Sequence, residues 1–376
     1  MGCGSKDAEP VDSNPADVDT DTDTDADTDA DTDADTDADT DETVVFVAGD
    51  PVLLTPASPQ QDEDPTVLLA ADGTIHVGHF SRRNGGNGDI FLVNTTDGVN
   101  WSEPIRVTTH VDDDYAPHLT QGGDGTFHMT WFRRMTGLPF FAHVWYASSP
   151  DGITWDPADQ YQVTTDEPYG QYEDWVPSIV EAEDGTLMVY FTSRVRQGPN
   201  HELHVVTSTD GGVNWTDPTY LTDLNDPVEN NHLPYVFRNG STFEIVFNRC
   251  DDTDPNPWQN PSVDVFYSTS SDGLSWDDPV AVTHNDPSGV LELFPSIYAN
   301  QNGASQMAFM STDAPMGFIF GVPTANAASF RTNSIELPLE GHSPRIAPTP
   351  TPGVYIGVWV EGGYGMEDVY YRFFEL

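Results

Sequence analysis

The chain has 376 residues, of which 37% are hydrophobic and 11% aromatic, so it can fill the core of one large all-β domain or two average domains. Aspartate and glutamate total 62 against 13 lysines and arginines, which gives a formal net charge of -49. This charge argues against nucleic-acid binding, which needs basic residues at the contact face, and no apolar run of about 18 residues is present that could span a membrane. Glycine (31) and proline (30) favour many turns over long helices.

The first 43 residues form a segment of their own. From Asp19 to Asp41, aspartate occupies every odd position, with Thr or Ala between. Such a run repels itself and buries nothing, so residues 1–43 are predicted to be a disordered tether and residues 44–376 the folded domain. The opening MGCGSK resembles the start of a mature bacterial lipoprotein, which implies a lipid on Cys3, a secreted or cell-surface location, and membrane contact only through that anchor. An unanchored or cytosolic protein is the alternative.

An internal repeat runs through the rest of the chain. Four Asp-Gly-Trp turns, TTDGVNW, SPDGITW, TDGGVNW and SSDGLSW, end at Trp101, Trp155, Trp215 and Trp276. A second marker is an Asp/Asn-Gly pair between two alternating apolar runs, as a hairpin requires, at positions 72, 124, 184, 239 and 302, with a degenerate Pro-Gly at 352. A third is a proline, which is tolerated at the first residue of a strand, at Pro65, Pro117, Pro177, Pro234, Pro295 and Pro344.

Each repeat therefore contains four predicted strands, A to D. A proline opens strand A, the Asp/Asn-Gly turn joins A to B, a loop leads to C, and the Asp-Gly-Trp turn joins C to D. Four-stranded repeats arranged radially form a β-propeller, so the predicted fold class is all-β, a six-bladed β-propeller of antiparallel blades. Strand D of the last repeat is missing. The segment PVLLT at residues 51–55 matches the other D strands and is predicted to pair with residues 369–374, which would close the ring and protect an exposed edge.

The segment Ser/Thr-x-Asp-Gly-x-Thr/Asn/Ser-Trp is the Asp box, or BNR repeat, and residues 50–376 resemble the sialidase-like propellers that carry it. The resemblance implies an extracellular propeller that binds, and if active hydrolyses as an exo-glycosidase, a glycan on the face opposite the Asp boxes; a monomer is expected. The boxes are predicted to be structural, because the carboxylate accepts backbone N–H bonds, Gly supplies a positive φ and Trp covers the gap between blades. Their residues are Asp97, Trp101, Asp151, Trp155, Asp210, Trp215, Asp272 and Trp276.

Two register positions place charged residues on that opposite face. Ten residues after the A–B turn, an arginine begins the B–C loop of four blades: Arg82, Arg134, Arg194 and Arg249. Three residues before the opening prolines stand the acids Asp62, Asp114, Asp174 and Glu292, which are predicted to ring the mouth of the central channel. Aromatic or imidazole groups accompany them: Tyr115, Trp175, His232, Phe294 and His342. Sialidase-like enzymes grip the substrate carboxylate with an arginine cluster, so the resemblance implies ligand-binding arginines. Pairing of each arginine with a carboxylate is the competing interpretation.

The sequence departs from an enzymatic sialidase in its catalytic positions. The Arg-Ile-Pro motif usual in that family is replaced by Glu63-Asp64-Pro65, while Arg345-Ile346 follows Pro344. For the tyrosine nucleophile that the family uses, supported by a glutamate, the candidate by position is Tyr364 with Glu361 near it. Tyrosine at such a place more often packs than reacts. Whether the chain is an enzyme is therefore uncertain from the sequence.

Two other interpretations remain: the chain is a different glycosidase, or it is a non-catalytic protein. Retaining and inverting glycosidases need two carboxyl groups across the scissile bond. Such a pair could come from Asp62, Asp114, Asp174 and Glu292, with Trp175 or Tyr115 as a stacking platform for the sugar. The alternative function is a non-catalytic surface adhesion or protein-interaction scaffold.

No cofactor or metal site is predicted. The stretch CDDTDPNPWQNP offers Asp251, Asp252 and Asp254 to calcium, but it lacks the Gly and closing Glu of a known calcium loop, so a solvated loop is preferred. No Gly-rich phosphate loop, nucleophile elbow or zinc-binding Cys/His spacing occurs. The expected partner is a glycan or glycoconjugate.

Overall fold

β-Strands carry almost all of the regular structure. The computed structural model describes residues 46–55, 60–135, 141–165, 173–194, 200–221, 223–225, 230–250, 263–283, 290–312, 317–321, 335–337, 341–362 and 365–375. Within these ranges lie 24 strands and one 3-10 turn, Pro157–Asp159, so the all-β prediction is confirmed. No helix among the described residues is long and apolar enough to cross a membrane. Cys3 and the acidic segment 1–43 lie outside the described residues.

The strands form six antiparallel groups of four, which we call repeats 1 to 6. Repeat 1 contains β2 (Asp62–Leu69), β3 (Ile75–Ser81), β4 (Asp89–Thr95) and β5 (Ile105–Arg106). Repeat 2 contains β6 (Asp113–Gln121), β7 (Phe127–Arg134), β8 (Ala142–Ser149) and β9 (Gln160–Gln162). Repeat 3 contains β10 (Glu173–Glu181), β11 (Leu187–Arg194), β12 (His201–Ser208) and β13 (Thr219–Tyr220). A single parallel contact between Ala142 and Glu173 joins repeats 2 and 3 into one eight-stranded sheet.

The other three repeats are separate four-stranded sheets. Repeat 4 contains β14 (Asn230–Asn239), β15 (Thr242–Cys250), β16 (Val263–Ser270) and β17 (Val280–Ala281). Repeat 5 contains β18 (Glu292–Ala299), β19 (Ser305–Ser311), β20 (Gly317–Gly321) and β21 (Ile335–Leu337). Repeat 6 contains β22 (His342–Pro348), β23 (Val354–Glu361), β24 (Asp368–Glu375) and, from the start of the domain, β1 (Val52–Leu53).

The sixth repeat takes its fourth strand from the N-terminal end of the described residues. Strand β1 pairs antiparallel with β24, with Val52 opposite Tyr371. Upstream of β1, Phe46 is buried, and its ring lies 5.2 Å from the ring of Phe373. A side chain on Gly98 of repeat 1 would collide with both of these rings. The N-terminal segment thus fills the space between repeat 6 and repeat 1.

The hydrophobic core lies between the repeats. Among the described residues, six clusters of buried apolar side chains each join successive repeats, and one of them joins repeat 6 to repeat 1. Side chains alternate between the two faces of a strand, so Phe127, Met129 and Trp131 of β7 all pack towards repeat 1. Each repeat is consequently held by its neighbours instead of by a core of its own.

The Asp-Gly-Trp turns satisfy their own backbones. The carboxylate of Asp151 accepts the N–H groups of Ile153 (2.9 Å) and Thr154 (2.6 Å), and Gly152 has a φ of 68°. Such N–H bonds lower the pKa of all four carboxyls, at Asp97, Asp151, Asp210 and Asp272. Three of the indoles contact a tyrosine of the preceding repeat in the pairs Trp101–Tyr371, Trp215–Tyr146 and Trp276–Tyr190, and Trp155 is buried. These contacts account for the turns without a ligand.

Asp151→Asn tests this structural role, because a neutral amide of the same shape replaces the carboxylate. The turn lowers the pKa of Asp151 to about 2, below the unfolded value of about 3.9. A carboxyl whose pKa is lower in the folded than in the unfolded state stabilises the fold at pH values above the unfolded-state pKa. That stabilisation is lost as the pH falls through the folded-state pKa. We expect the variant to be less stable near neutral pH by about 1 kcal/mol or less, since water screens the carboxylate.

Denaturant unfolding of both proteins across the acid range measures the effect. The difference in free energy of unfolding should vanish as the pH falls from about 4 to about 2. A difference that is the same at neutral and acid pH would contradict the assignment.

Candidate functional site

A bulge interrupts the first strand of every repeat at the same place. The register shifts just before the opening proline in β2, β6, β10, β14, β18 and β22. The residue before that proline has a positive φ, between 45° and 57°, although it is not glycine; the six are Asp64, Ala116, Val176, Leu233, Phe294 and Ser343. This conformation costs a residue with a side chain about 1 kcal/mol or more. Its recurrence at six equivalent places directs attention to what these bulges surround.

The six bulges surround one pocket of ≈ 260 Å³, the central pocket, to which all six repeats contribute. Its wall has two different sides. Repeats 1 and 6 supply charged and polar groups: Glu63, Asp64, His342 and Arg345. Repeats 2 to 5 supply an apolar side that includes Phe132, Trp175, Leu233 and Phe294.

Two rings line both the central pocket and a neighbouring cavity. The rings of His118 and Tyr235 meet edge to face, 4.6 Å apart, and both residues also line a second cavity of ≈ 390 Å³. Ser178 Oγ lies 3.2 Å from Nε2 of His118, and the N–H of Ile179 donates to its Nδ1 (3.2 Å). Burial lowers the pKa of His118 to about 3, so the ring is neutral at physiological pH. His118 and Tyr235 are therefore shared by the central pocket and the second cavity.

Carboxyl groups meet on the charged side of the pocket. Burial, followed by the charges of Asp64 and Glu367, raises the pKa of Glu63 to about 8. Burial also raises the pKa of Asp64, to about 6, against the lowering effect of Arg345 and of the Ala116 N–H that donates to this carboxyl. Burial therefore makes both carboxyls of this neighbouring pair hold protons more readily than exposed ones do.

Arg345 brings positive charge to the pocket. Its Nη1 donates to the carbonyl oxygens of Pro344 (2.8 Å) and Phe294 (3.2 Å), and its guanidinium carbon lies 5.5 Å from the ring centroid of Tyr235. Burial lowers the pKa of Arg345, yet an arginine remains charged at neutral pH. The charge of the Asp64 carboxyl opposes this lowering of the Arg345 pKa.

The predicted acid ring does not line the central pocket, which corrects that prediction. The four acids are fully buried and bond inside the sheets, in the pairs Asp62–Arg83 (3.4 Å), Asp114–Arg133 (2.7 Å), Asp174–Ser193 (2.5 Å) and Glu292–Ser311 (3.5 Å). These residues precede the bulge, so their side chains lie in the ladder between strands A and B. The following residues Glu63 and Trp175 alternate to the other face and line the pocket, and Asp64 lies in the bulge itself.

The predicted arginine ring is also absent from the lining of the pocket. Arg82 pairs with Asp113 of the next repeat (2.8 Å), and Arg194 pairs with Glu173 (3.6 Å). The other two arginines make different contacts. Arg249 donates to Asn231 Oδ1 (2.8 Å) and to the carbonyl oxygen of Leu224 (2.6 Å), and Arg134 is exposed. For Arg82 and Arg194, the structure therefore favours the pairing interpretation.

Of the predicted aromatic and imidazole residues, Trp175, Phe294 and His342 line the central pocket. Tyr115 lies outside the lining, stacked on Phe132 with ring centroids 5.4 Å apart. His232 is buried, with Nε2 3.2 Å from the sulfur of Cys250, and burial lowers its pKa to about 3. His232 is therefore part of the interior.

Several predictions lie outside the described residues: Tyr364, Asp251, Asp252 and Asp254 belong to this group and stay predictions. Within the described part of the chain, no group of three or more His, Cys, Asp or Glu side chains could hold a metal ion. In the sequence, Glu63-Asp64-Pro65 and Arg345-Ile346 stand out only because they differ from the Arg-Ile-Pro motif of the sialidase family. The signal that would have found these residues is their place beside the opening prolines.

No family model and no curated protein sequence matches this chain. Solved structures do match it. An α-L-arabinanase of Penicillium chrysogenum superposes with a TM-score of 0.67 at 14% identity, over 88% of this chain and 99% of the other. An α-L-arabinofuranosidase of Fusarium graminearum gives 0.65 at 16%, over 88% and 98%. A leech intramolecular trans-sialidase gives 0.57 at 12%, over 89% and 70%.

The chain has the fold of the β-propeller glycoside hydrolases. At these identities, the likeness concerns the fold alone. The resemblance to sialidases inferred from the sequence thus holds at the level of propeller glycosidases, a class that also includes the arabinan-acting enzymes.

Proposed function

We propose that this chain is a six-bladed β-propeller glycoside hydrolase that binds the end of a glycan in the central pocket and cleaves its glycosidic bond. Six repeats, six intervening core clusters and the pairing of β1 with β24 support the blade count and the closure. The fold shared with an arabinanase, an arabinofuranosidase and a trans-sialidase supports the class of enzyme.

The division of the central pocket into a carboxyl side and an aromatic side carries the proposal. Sugars have C–H faces that pack on aromatic rings and hydroxyl groups that need polar partners, so a pocket with both kinds of wall suits them. Glycoside hydrolysis needs one carboxylic acid and one carboxylate. Glu63 and Asp64, neighbouring carboxyls in the lining whose pKa values burial raises, are the proposed pair.

The shape of the pocket indicates which part of a glycan binds. The central pocket has a volume of ≈ 260 Å³. A pocket of this size suits the end of a glycan better than the middle of a polymer. This supports cleavage from a chain end, as expected for an exo-glycosidase.

An uncharged glycan suits the central pocket better than a sialylated one. Arg82 and Arg194, which could have gripped a substrate carboxylate, are engaged by Asp113 and Glu173. The net charge of -49 repels anions. The Penicillium arabinanase was solved with arabinobiose, so arabino-oligosaccharides are the first substrates to try.

Release of free sugar from a panel of glycans tests the proposed function. The panel contains arabino-oligosaccharides, other uncharged oligosaccharides, and a fluorogenic sialoside. We expect release from at least one uncharged glycan and none from the sialoside. Binding to glycans without release would instead identify an adhesion scaffold, and neither binding nor release would contradict the proposal as a whole.

Trp175→Ala is expected to weaken glycan binding about tenfold or more, because the variant loses the stacking surface of the indole. Titration calorimetry with the best ligand of the panel measures the effect. Val99→Ala, which changes an exposed residue of an Asp-Gly-Trp turn, is the control. An unchanged affinity in Trp175→Ala would place the sugar elsewhere.

The location of the domain is a separate proposal. We propose that it is displayed as a monomer outside a bacterial cell, held by the acidic tether and a lipid on Cys3. The lipoprotein-like opening MGCGSK and the charge of -49 support this. Labelling of expressing bacteria with a fatty-acid analogue should mark the wild-type chain but not Cys3→Ser. Equal labelling of both proteins, or of neither, would contradict the anchor.

A further inference from the structure

A stack of three aromatic rings leads from the wall of the central pocket into repeat 1. Phe132, on β7, lines the pocket and is half-buried. The ring of Tyr115, its register partner on β6, lies 5.4 Å from it at an interplanar angle of 18°. The ring of Phe80, on β3 of repeat 1, lies 4.4 Å from that of Tyr115 at 8°. The wall that Phe132 offers a ligand is therefore continuous with the interior of the neighbouring repeat.

Close packing fixes the far end of this stack. Phe80 is fully buried, and a side chain on Gly88 would collide with its ring. The guanidinium carbon of Arg82 lies 5.2 Å from the centroid of the same ring. Because a packed interior leaves little free space, a ring held in this way supports the ring that stacks on it.

An ion pair between repeats 1 and 2 holds the hydroxyl of Tyr115. Arg82 donates through both terminal nitrogens to Asp113 (3.1 and 2.8 Å), and its Nη2 also donates to the hydroxyl of Tyr115 (2.9 Å). That hydroxyl donates to Oδ2 of Asp113 (3.1 Å), and the N–H of Gly88 donates to Oδ1 (2.6 Å). The side chain of Tyr115 is consequently held both by stacking and at its hydroxyl.

We propose that Tyr115 is a positioning residue that fixes the ring of Phe132 in the pocket wall, and that Arg82 and Asp113 act through it. A wall residue that is ordered before binding spares the ligand the entropy of ordering it. Arg82, predicted from the sequence to grip a ligand, thus braces the wall on which the ligand packs. The effect on glycan binding rests on the proposed function, whereas the effect on Phe132 does not.

The ring-flip rate of Phe132 tests the inference in the protein without a ligand. NMR of ring-labelled phenylalanine measures this rate, and Phe132→Leu identifies the resonance. Tyr115→Leu removes the stacked ring, and Arg82→Met removes the ion pair. We expect the flips to become about two- to tenfold faster in Tyr115→Leu, the effect of losing one aromatic pair, and to quicken less in Arg82→Met. Arg194→Met, which breaks the pair with Glu173 in repeat 3, should leave the rate unchanged.

A double-mutant cycle on glycan affinity tests whether Tyr115 acts through Phe132. Phe132→Leu should weaken binding of the best ligand of the panel about tenfold, and Tyr115→Leu about two- to tenfold. The double variant should bind as Phe132→Leu does, because Tyr115 then has no ring to position. Losses that multiply in the double variant would overturn the inference, as would a wild-type affinity in Tyr115→Leu.

Two further variants keep the test decisive if Tyr115→Leu does not fold. Tyr115→Phe and Arg82→Met both retain the ring of residue 115 and release the hydroxyl contact, so either completes the same cycle. A wild-type protein that binds no glycan would refute the proposed function, and the flip rates would still decide the inference. Glycan binding with flip rates that are the same in every variant would refute the inference and leave the function intact.

Discussion

Glu63→Gln is expected to lower kcat/KM for glycan hydrolysis by about 100- to 10,000-fold at neutral pH. Burial and the neighbouring charges raise the pKa of Glu63 to about 8, so the wild-type side chain can protonate a leaving oxygen where an ordinary glutamate would be ionised. Glutamine retains the shape and loses the proton. Initial rates with the best substrate of the panel measure the effect, and binding of that substrate should be nearly unchanged.

The pH profile of the wild type belongs to the same prediction. Activity should fall below about pH 6, where Asp64 takes up a proton, and above about pH 8, where Glu63 loses one. Glu183→Gln is the matched control, since Glu183 is exposed and outside the central pocket. A Glu63→Gln variant as active as Glu183→Gln would remove Glu63 from the mechanism.

Asp114→Asn is expected to lower the free energy of unfolding by about 3–5 kcal/mol, the usual effect of breaking a buried ion pair from one side. Asp114 is fully buried and accepts Nε of Arg133 (2.7 Å) and Nε1 of Trp131 (2.9 Å). The substitution leaves the guanidinium of Arg133, itself 4% exposed, without its counter-charge. Denaturant unfolding followed by tryptophan fluorescence measures the loss.

A more exposed ion pair provides the comparison with the buried pair of Asp114 and Arg133. Glu173 and Arg194 form an ion pair of 3.6 Å whose side chains are 19% and 31% exposed. Glu173→Gln should therefore cost about 1 kcal/mol or less. Assayed where both variants are folded, they should also retain hydrolysis, because neither Asp114 nor Glu173 lines the central pocket. Equal losses of stability, or a loss of activity confined to folded Asp114→Asn, would contradict the structural assignment of Asp114.

The repeat could be predicted from the sequence because its signals are local. The four-strand pattern, the Asp/Asn-Gly hairpin turns and the Asp-Gly-Trp turns each depend on residues close together in the chain, and the observed strands follow them. The match of residues 51–55 to the D strands depends on the same comparison within the sequence, and β1 does pair with β24. An in-phase repeat provides several independent copies of each signal, so one degenerate turn does not obscure the pattern.

The site could not be predicted in the same way, since it depends on side-chain direction at a bulge. Asp62, Glu63 and Asp64 are consecutive acids, yet Asp62 is buried inside its sheet while Glu63 and Asp64 line the pocket. A one-residue irregularity reverses which residues face outwards. The ion-pair partners of the arginines could not be predicted either, because the partner of Arg82 is Asp113 in the next repeat. Register between repeats determines such pairs, and a single sequence does not show it.

A crystal structure of Glu63→Gln soaked with its best oligosaccharide tests the central claim most directly, because the variant should bind the sugar without cleaving it. The account predicts one sugar ring in the central pocket, packed on Trp175 and Phe132, with the glycosidic oxygen beside residue 63 and hydroxyls near Asp64 and Arg345. Sugar bound only on the face of the Asp-Gly-Trp turns, or a central pocket that stays empty at saturating ligand, would contradict it.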